Sequence, residues 1–362
     1  MLKMKKIILT KQDIINTYNK WQQEQSRLYL KYKRIKKENP QFGYKRISRL
    51  IEQPYHKTRW WHSRGFIPVP LQTVVWLEKR KLAPLIKEDE RLQLISKVLG
   101  TTFGDGGIFE NLNGIFLSSS EIVAIKEFER NLEEIFGEEI TKNSRIIEGG
   151  EYGHSYCYQN TNRNVIRFFQ ALGAPVGRKS EIELKIPEWI SIKQEVQDRF
   201  FSSFFGNEIG IPKIHKDNKR TNSLDIGMVA RKSLLKNRIN FLNKIQEYLK
   251  SKNIKSDKIY IRQHKEDKNS ILLKLAVNLN FDNLMNFHRN IDLSYSSKKQ
   301  EKLIQTLNEL KEIKSQRFKK LSITLNKLTK RNYSREWIKN NLRLTEKSLK
   351  FILDKEPIEK WN

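Results

Sequence analysis

The feature that most constrains this chain is an apolar helical run that ends on small residues and an acid, and that occurs twice. Leu92, Leu94, Ile95, Val98, Leu99 and Phe103 recur near helical spacing and lead straight into Gly104-Asp105-Gly106-Gly107. A second run, Val196 to Phe205, leads into Gly206-Asn207-Glu208. A carboxylate at a helix C-terminus is electrostatically unfavourable, because the helix dipole there is already negative. A divalent cation would repair that, and hard cations favour oxygen ligands. In a single copy, a glycine cap followed by a turn aspartate would look the same. Gly100 and Gly104 lie four apart on one face, so another backbone can approach closely there.

The elements downstream of each run come in a similar order. After Asp105 come a hairpin pattern across Ile108 to Leu117, a helix over 120–136, strands at 144–147 and 154–159, and a helix over 163–172. Ser119 or Ser120 is the expected cap of the 120–136 helix. After Glu208 come hairpin strands at 211–214 and 224–229, a helix over 233–251, strands at 258–263 and 271–277, and a helix over 280–289. The two acids stand 103 residues apart, which predicts an internal duplication of an αββαββα unit. The expected class is α+β. The expected divisions are 1–90, 91–195, 196–310 and 311–362.

Charge narrows the partner. The 362 residues carry 70 Lys and Arg against 41 Asp and Glu, a net charge of +29. Seven Trp, eighteen Phe and twelve Tyr argue against a disordered basic tail, so a folded polyanion binder is expected. The excess is uneven: residues 1–90 are +13, 91–210 are −4 and 211–362 are +20. The lone Cys157 excludes a disulfide scaffold and a Cys-rich zinc site. His56, His62, His154, His215, His264 and His288 are scattered and form no metal pair. No P-loop or dinucleotide fingerprint occurs. No run is apolar and long enough to span a membrane, and the N-terminus lacks a signal-peptide core. The chain is therefore expected to be soluble and intracellular.

The flanks read as helical. Residues 11–37 predict one long polar helix, stopped by Asn39-Pro40. Short helices come next at 45–52, 55–63 and 71–81, then a polar linker at 84–90. The second of these short helices carries His56, Lys57, Arg59, His62 and Arg64, which fits a helix-turn-helix with a basic reading helix. A three-helix bundle with basic solvent faces is the alternative. The segment around Gly43-Tyr44-x-x-Ile47 resembles helix-turn-helix arms of some archaeal and phage-type DNA-binding proteins. At the other end, residues 300–331 predict a basic helix, and 333–340 with 345–354 a second helix-turn-helix or a plain helical hairpin. Lys347 and Lys350 lie on the exposed side of its last helix.

Val98-Leu99-Gly100-Thr101-Thr102-Phe103-Gly104-Asp105-Gly106 resembles the LAGLIDADG motif of homing endonucleases and intein endonuclease domains. Phe200-Phe201-Ser202-Ser203-Phe204-Phe205-Gly206-Asn207-Glu208 resembles its second copy. The stretch Leu172-Gly173-x-Pro175-x-Gly177-x-Lys179, with Ile186-Pro187-Glu188-Trp189-Ile190, is similar to the sequence downstream of the first motif in these enzymes. The resemblance covers roughly residues 91–310. It implies a monomer with two motif helices packed at a pseudo-two-fold axis and two sheets forming a DNA-binding saddle. It implies that Asp105 and Glu208 bind Mg²⁺ (or another divalent cation) between the scissile phosphates of double-stranded DNA. It implies a lysine beside each acid: Lys179 in the first half, Lys298 or Lys299 in the second. Strand residues Lys213, His215, Lys216, Lys219, Arg220, Arg262 and His264 would face the major groove.

The departures are specific. Phe103 and Gly206 stand where the motif often has Asp, and Thr101-Thr102 replace apolar residues. Glu208 replaces the second Asp, and Ile209 replaces the closing glycine, which disfavours a positive-φ turn there. The expected function is therefore site-specific cleavage of duplex DNA. Two alternatives stand beside it: a cleavage-deficient DNA-binding regulator and an intron RNA maturase.

Overall fold

In the computed structural model, the described residues are 6–149, 154–211, 214 and 224–344. The chain opens with a short strand β1 (Ile7–Leu9) and helices α1 (Lys11–Asn16) and α2 (Lys20–Glu38). The single helix expected over 11–37 is thus two. Thr10 and Asp13 close a capping box on α1, and the Asn19 side chain accepts from the Gln22 amide to start α2 afresh. Two good caps within ten residues outweigh a continuous polar periodicity.

Helices α3 (Tyr44–Leu50), α4 (Tyr55–Ser63) and α5 (Val69–Lys79) follow at the expected places. Thr58 and Trp61 of α4 are buried, and Trp61 meets Tyr29 edge-on at 5.6 Å and Tyr32 at 5.7 Å, so α2 braces α4.

The stretch read as a polar linker is not one. Leu82 and Leu85 are fully buried, and β2 (Leu85–Ile86) pairs antiparallel with β1. The N-terminal strand straps this segment to the body. The helical unit is also docked: the Tyr18 hydroxyl and the Thr73 hydroxyl are 2.7 Å apart, Thr73 donates to Asn164, and Arg167 donates to the Thr17 carbonyl while stacking over Tyr18. One hydrophobic core runs from Leu9 to Leu307.

The first half has the expected order: α6 (Leu92–Phe103), β3 (Gly106–Ile108), β4 (Ile115–Ser119), α7 (Ile122–Phe136), β5 (Ser144–Glu148), β6 (Tyr156–Asn160) and α8 (Arg163–Ala171). Its strands form one antiparallel sheet in the order β3-β4-β6-β5. The cap of α7 differs from expectation. Glu121 occupies the cap position without a side-chain bond to the helix, and Ser119 only accepts from the Glu121 amide.

The second half comprises α9 (Gln194–Glu208), β7 (Leu224–Arg231), α10 (Leu235–Ser251), β8 (Tyr260–Gln263), β9 (Ser270–Val277) and α11 (Phe281–Asn290). Its sheet has the order β7-β9-β8, which repeats β4-β6-β5. β7 alternates strictly, with Leu224, Ile226, Met228 and Ala230 buried and Gly227, Val229 and Arg231 exposed. Ile209 bridges Ile226, but most of the expected strand at 211–214 lies outside the described residues. The fold is α+β. Helix α12 (Ser297–Lys330) runs unbroken through residue 310, and α13 (Arg335–Asn341) folds back on it through Leu325 and Ile338. Lys347, Lys350 and the last expected helix lie outside the described residues, as do Lys213, His215, Lys216, Lys219 and Arg220.

Candidate metal and phosphate centre

The two motif helices α6 and α9 pack against each other, and small residues make this close. A Cβ added at Gly100 would collide with the Phe200 carbonyl and the Ser203 hydroxyl, and one at Gly104 with the Asn207 side chain. Hydrogen bonds cross the seam: Ser96 Oγ donates to the Val196 carbonyl and Ser203 Oγ to the Lys97 carbonyl, both at 2.6 Å. Thr101 and Thr102 replace apolar motif residues without leaving orphaned hydroxyls. They donate to the Lys97 and Leu99 carbonyls of their own helix. Phe103 fills the core, 5.3 Å from Phe200 and stacked 6.0 Å from Phe241.

This packing brings both acids to one end of the helix pair. Asp105 and Glu208 lie close enough that the Asp105 charge acts on Glu208. Burial first, and then Asp105, push Glu208 up to about 7, with Lys179 and Lys299 opposing. Burial also raises Asp105, although the residue keeps one face open to water, and the same two lysines oppose it. The halves are not equivalent. Asp105 lies two residues beyond the last helical residue Phe103, whereas Glu208 is itself the last residue of α9. Ile209 continues in extended backbone at φ −78° and ψ 132°, so no glycine-type turn follows Glu208.

Each acid has a lysine tied to the carbonyl just before it. Lys179 Nζ donates to the Gly104 carbonyl and, at 2.6 Å, to that of Gly106. Lys299 Nζ donates to the Asn207 carbonyl. Burial lowers both lysines from their usual range, and the two carboxylates pull them back up. Lys298 is exposed, and its amide donates to Glu121 at 3.1 Å. The structure thus separates two lysines that sequence spacing left together.

Sequence reasoning missed two residues that position this centre. Glu121 accepts from the Ser296 and Ser297 hydroxyls and the Lys298 amide, and so caps α12 from the other half of the chain. Burial opposes its ionisation, but those bonds hold it below the usual carboxylate range. Arg238 on α10 is fully buried, and Nη2 donates to the Lys179 carbonyl at 2.7 Å and the Ile182 carbonyl at 3.1 Å. Its Nε and Nη1 have no partner among the described residues, and burial lowers it to about 10. The signal was an arginine on the apolar stripe of α10, beside Leu235, Phe241, Leu242 and Ile245.

The other described residues singled out from the sequence do not join the centre. His56 and Arg59 are exposed on α4, Lys57 lies over Trp21, and His62 Nδ1 sits 2.9 Å from the Tyr32 hydroxyl. Arg262 is exposed on β8, and His264 is engaged with the Asp267 amide. Among the described residues no group of three or more His, Cys, Asp or Glu side chains forms a metal cluster. No helix among them is long and apolar enough to cross a membrane.

The raised Glu208 makes stability depend on pH. With a folded value near 7 against 4.5 unfolded, the native state holds an extra proton between these limits. That stabilisation is present below pH ~4.5 and is lost as pH rises through ~7. In chelator, Glu208→Gln is therefore expected to exceed the wild type in stability by about 1–3 kcal/mol at pH 8 and to match it near pH 4. Urea denaturation at several pH values measures this, and a pH-independent difference would count against the coupled pair.

No family model matches the chain. It is similar to the DNA-directed RNA polymerase subunit Rpo1N of Methanocaldococcus jannaschii, 26% identical over 62% of this chain and 17% of that protein. It is similar to the tRNA-splicing ligase RtcB of the same organism, 29% identical over 63% of this chain and 24% of that protein. A third relative is the archaeal Lon protease of Pyrococcus abyssi, 33% identical over 35% of this chain and 12% of that protein. The chain thus spans about a quarter or less of these curated relatives. Among solved structures, variants of the homing endonuclease I-DmoI align at 15% identity over 60% of this chain and 100% of that one, TM-score 0.36. A variant of I-DmoI in complex with its target DNA aligns at 14% identity over 56% of this chain and 95% of that one, TM-score 0.33.

Proposed function

We propose that this chain is a site-specific endonuclease of the LAGLIDADG homing type, which hydrolyses phosphodiester bonds of duplex DNA and works as a monomer. The observation that carries this reading is the convergence of Asp105 and Glu208 at the ends of two cross-packed helices, each acid with a lysine bonded to the carbonyl before it. The repeated order of elements and the repeated strand order support a pseudo-two-fold arrangement whose sheets cradle DNA.

The residues fit a divalent cation such as Mg²⁺. Asp105 and Glu208 offer hard oxygen donors, and their repulsion, which burial aggravates, is what a cation would relieve. Two protein carboxylates are few, which suits an ion that keeps waters and takes phosphate oxygens for the rest of its shell. Such an ion would supply charge stabilisation and an activated water. The chain's own contribution is positional. Lys179 and Lys299 hold fixed positive charge beside the acids, where phosphate charge develops. Gly100 and Gly104, both packed against α9, let the acids converge, and Glu121 and Arg238 set the segments that carry the lysines.

The curated relatives have unrelated tasks, in transcription, RNA ligation and proteolysis. We therefore read the shared stretch as a mobile module carried within them, of intein or intron type, rather than as part of any of their catalytic cores. The unequal helix ends favour a second reading in which the two strands are cut at different rates, so that nicking dominates.

The test is incubation of the full chain with a randomised target library in supercoiled plasmid, with Mg²⁺ or chelator. The expected result is Mg²⁺-dependent cutting or nicking at a restricted set of sites, with binding that weakens steeply as salt rises. No cutting of any target by the wild type, with salt-sensitive binding retained, would favour the regulator reading instead.

A further inference from the structure

The N-terminal helical unit exposes aromatic rings that its own packing does not require. On α4, Thr58 and Trp61 are buried and Trp61 meets α2, whereas Lys57, Trp60 and Arg64 share a stripe at i, i+3, i+7 spacing. Trp60 is 52% exposed, Trp21 64%, Tyr55 59% and Phe66 44%. These rings sit among cations. Lys57 Nζ lies 5.8 Å from the Trp21 ring centre, the Arg64 guanidinium 5.6 Å from that of Trp60, and Phe66 meets Trp60 edge-on at 6.3 Å. Trp21, Lys57, Trp60, Arg64 and Phe66 thus form a line in which rings and cations interleave. The segment from Gly43 to Phe66 has six Lys and Arg against one Glu.

We propose that this line is a stacking platform for unpaired nucleotides, in single-stranded DNA or RNA. A single exposed tryptophan needs no explanation, but a row of them on a basic surface does. A helix that reads the major groove does so with side chains that hydrogen-bond base edges in pairs. Indole has one donor and presents a flat apolar face, and on this helix Trp60 is 52% exposed. A base can lie on each ring only where it is not paired in a duplex, and its phosphates then fall beside Lys57 and Arg64. An anionic membrane also accepts rings and cations, but it favours one continuous apolar face, and here the two tryptophans each have a cation over the ring.

The platform goes beyond the cleavage reading and can be tested without it. Labelled oligothymidylate, oligouridylate and a duplex of equal phosphate number are titrated with the full chain in chelator. The comparison is wild type against a double variant, Trp21→Leu with Trp60→Leu, which keeps every charge. The single strand is expected to bind more tightly than the duplex, and the double variant to lose about 30-fold or more of single-strand affinity. Duplex affinity is expected to change less than about threefold. Tighter binding of the uridylate identifies RNA as the natural source, and of the thymidylate, DNA. Trp60→Leu alone, losing about fivefold or more, carries the test should the double variant unfold. Unchanged single-strand affinity, an equal loss for duplex, or the same tryptophan dependence on anionic vesicles alone would overturn the proposal.

Discussion

Asp105→Asn is expected to lower the Mg²⁺-dependent cleavage rate by about 10³-fold or more, and to leave DNA binding in chelator within about threefold of wild type. The substitution removes one charge and keeps the shape. Asp105 keeps a face open to water and its carboxylate has no hydrogen bond among the described residues, so its loss should not unfold the chain. Removing it also removes the charge that, after burial, raises Glu208. Glu208 in the variant should therefore titrate below wild type. Gel assays on a cleavable target measure the first effect, and the pH dependence of stability in chelator measures the second. Cleavage that survives in Asp105→Asn would remove this acid from the chemistry, whatever happened to Glu208.

Gly100→Val is expected to destabilise the protein by about 4 kcal/mol or more, enough to prevent folding in a marginal domain. The new side chain would occupy the space held by the Phe200 carbonyl and the Ser203 hydroxyl. Relief would require α6 and α9 to separate. That would break the bonds from Ser96 to Val196 and from Ser203 to Lys97, both at 2.6 Å and both inside the core. Gly43→Ala is the matched control. It meets no atom within 4 Å, and its effect should stay within about 1 kcal/mol. Denaturant titration of the two variants measures the contrast. Equal stabilities would mean that the helix seam is looser than its glycines imply.

Much of the fold was legible because its signals are local. The span of α6 follows from an apolar period that stops at Gly104, and α4 is bounded by Pro54 and Gly65. The alternation of β7 shows its buried face directly. Where two local signals competed, composition alone chose poorly. The periodicity of residues 11–37 was continuous, yet the Asn19 cap divided it. The charged stretch at 84–90 looked solvated, yet Leu85 is buried and pairs with Leu9 of β1.

The candidate site divides along the same line. Asp105 and Glu208 could be named from the sequence because each closes an apolar helical run, and Lys179 because its stretch resembles the one downstream of the first LAGLIDADG motif. That Lys299 and not Lys298 faces the acids depends on the phase of α12, which Glu121 sets from a distant part of the chain. Arg238 acts through the Lys179 carbonyl, 59 positions away in sequence. The sequence by itself determined the two acid-ended helices, the small residues in them, the order of elements and the basic flanks. Only the tertiary structure decided that the N-terminal unit shares the core, which lysine lies beside the second acid, and that the two helix ends are unequal. Caps and periodicity act over a few residues, whereas burial and charge depend on which distant segments fold together.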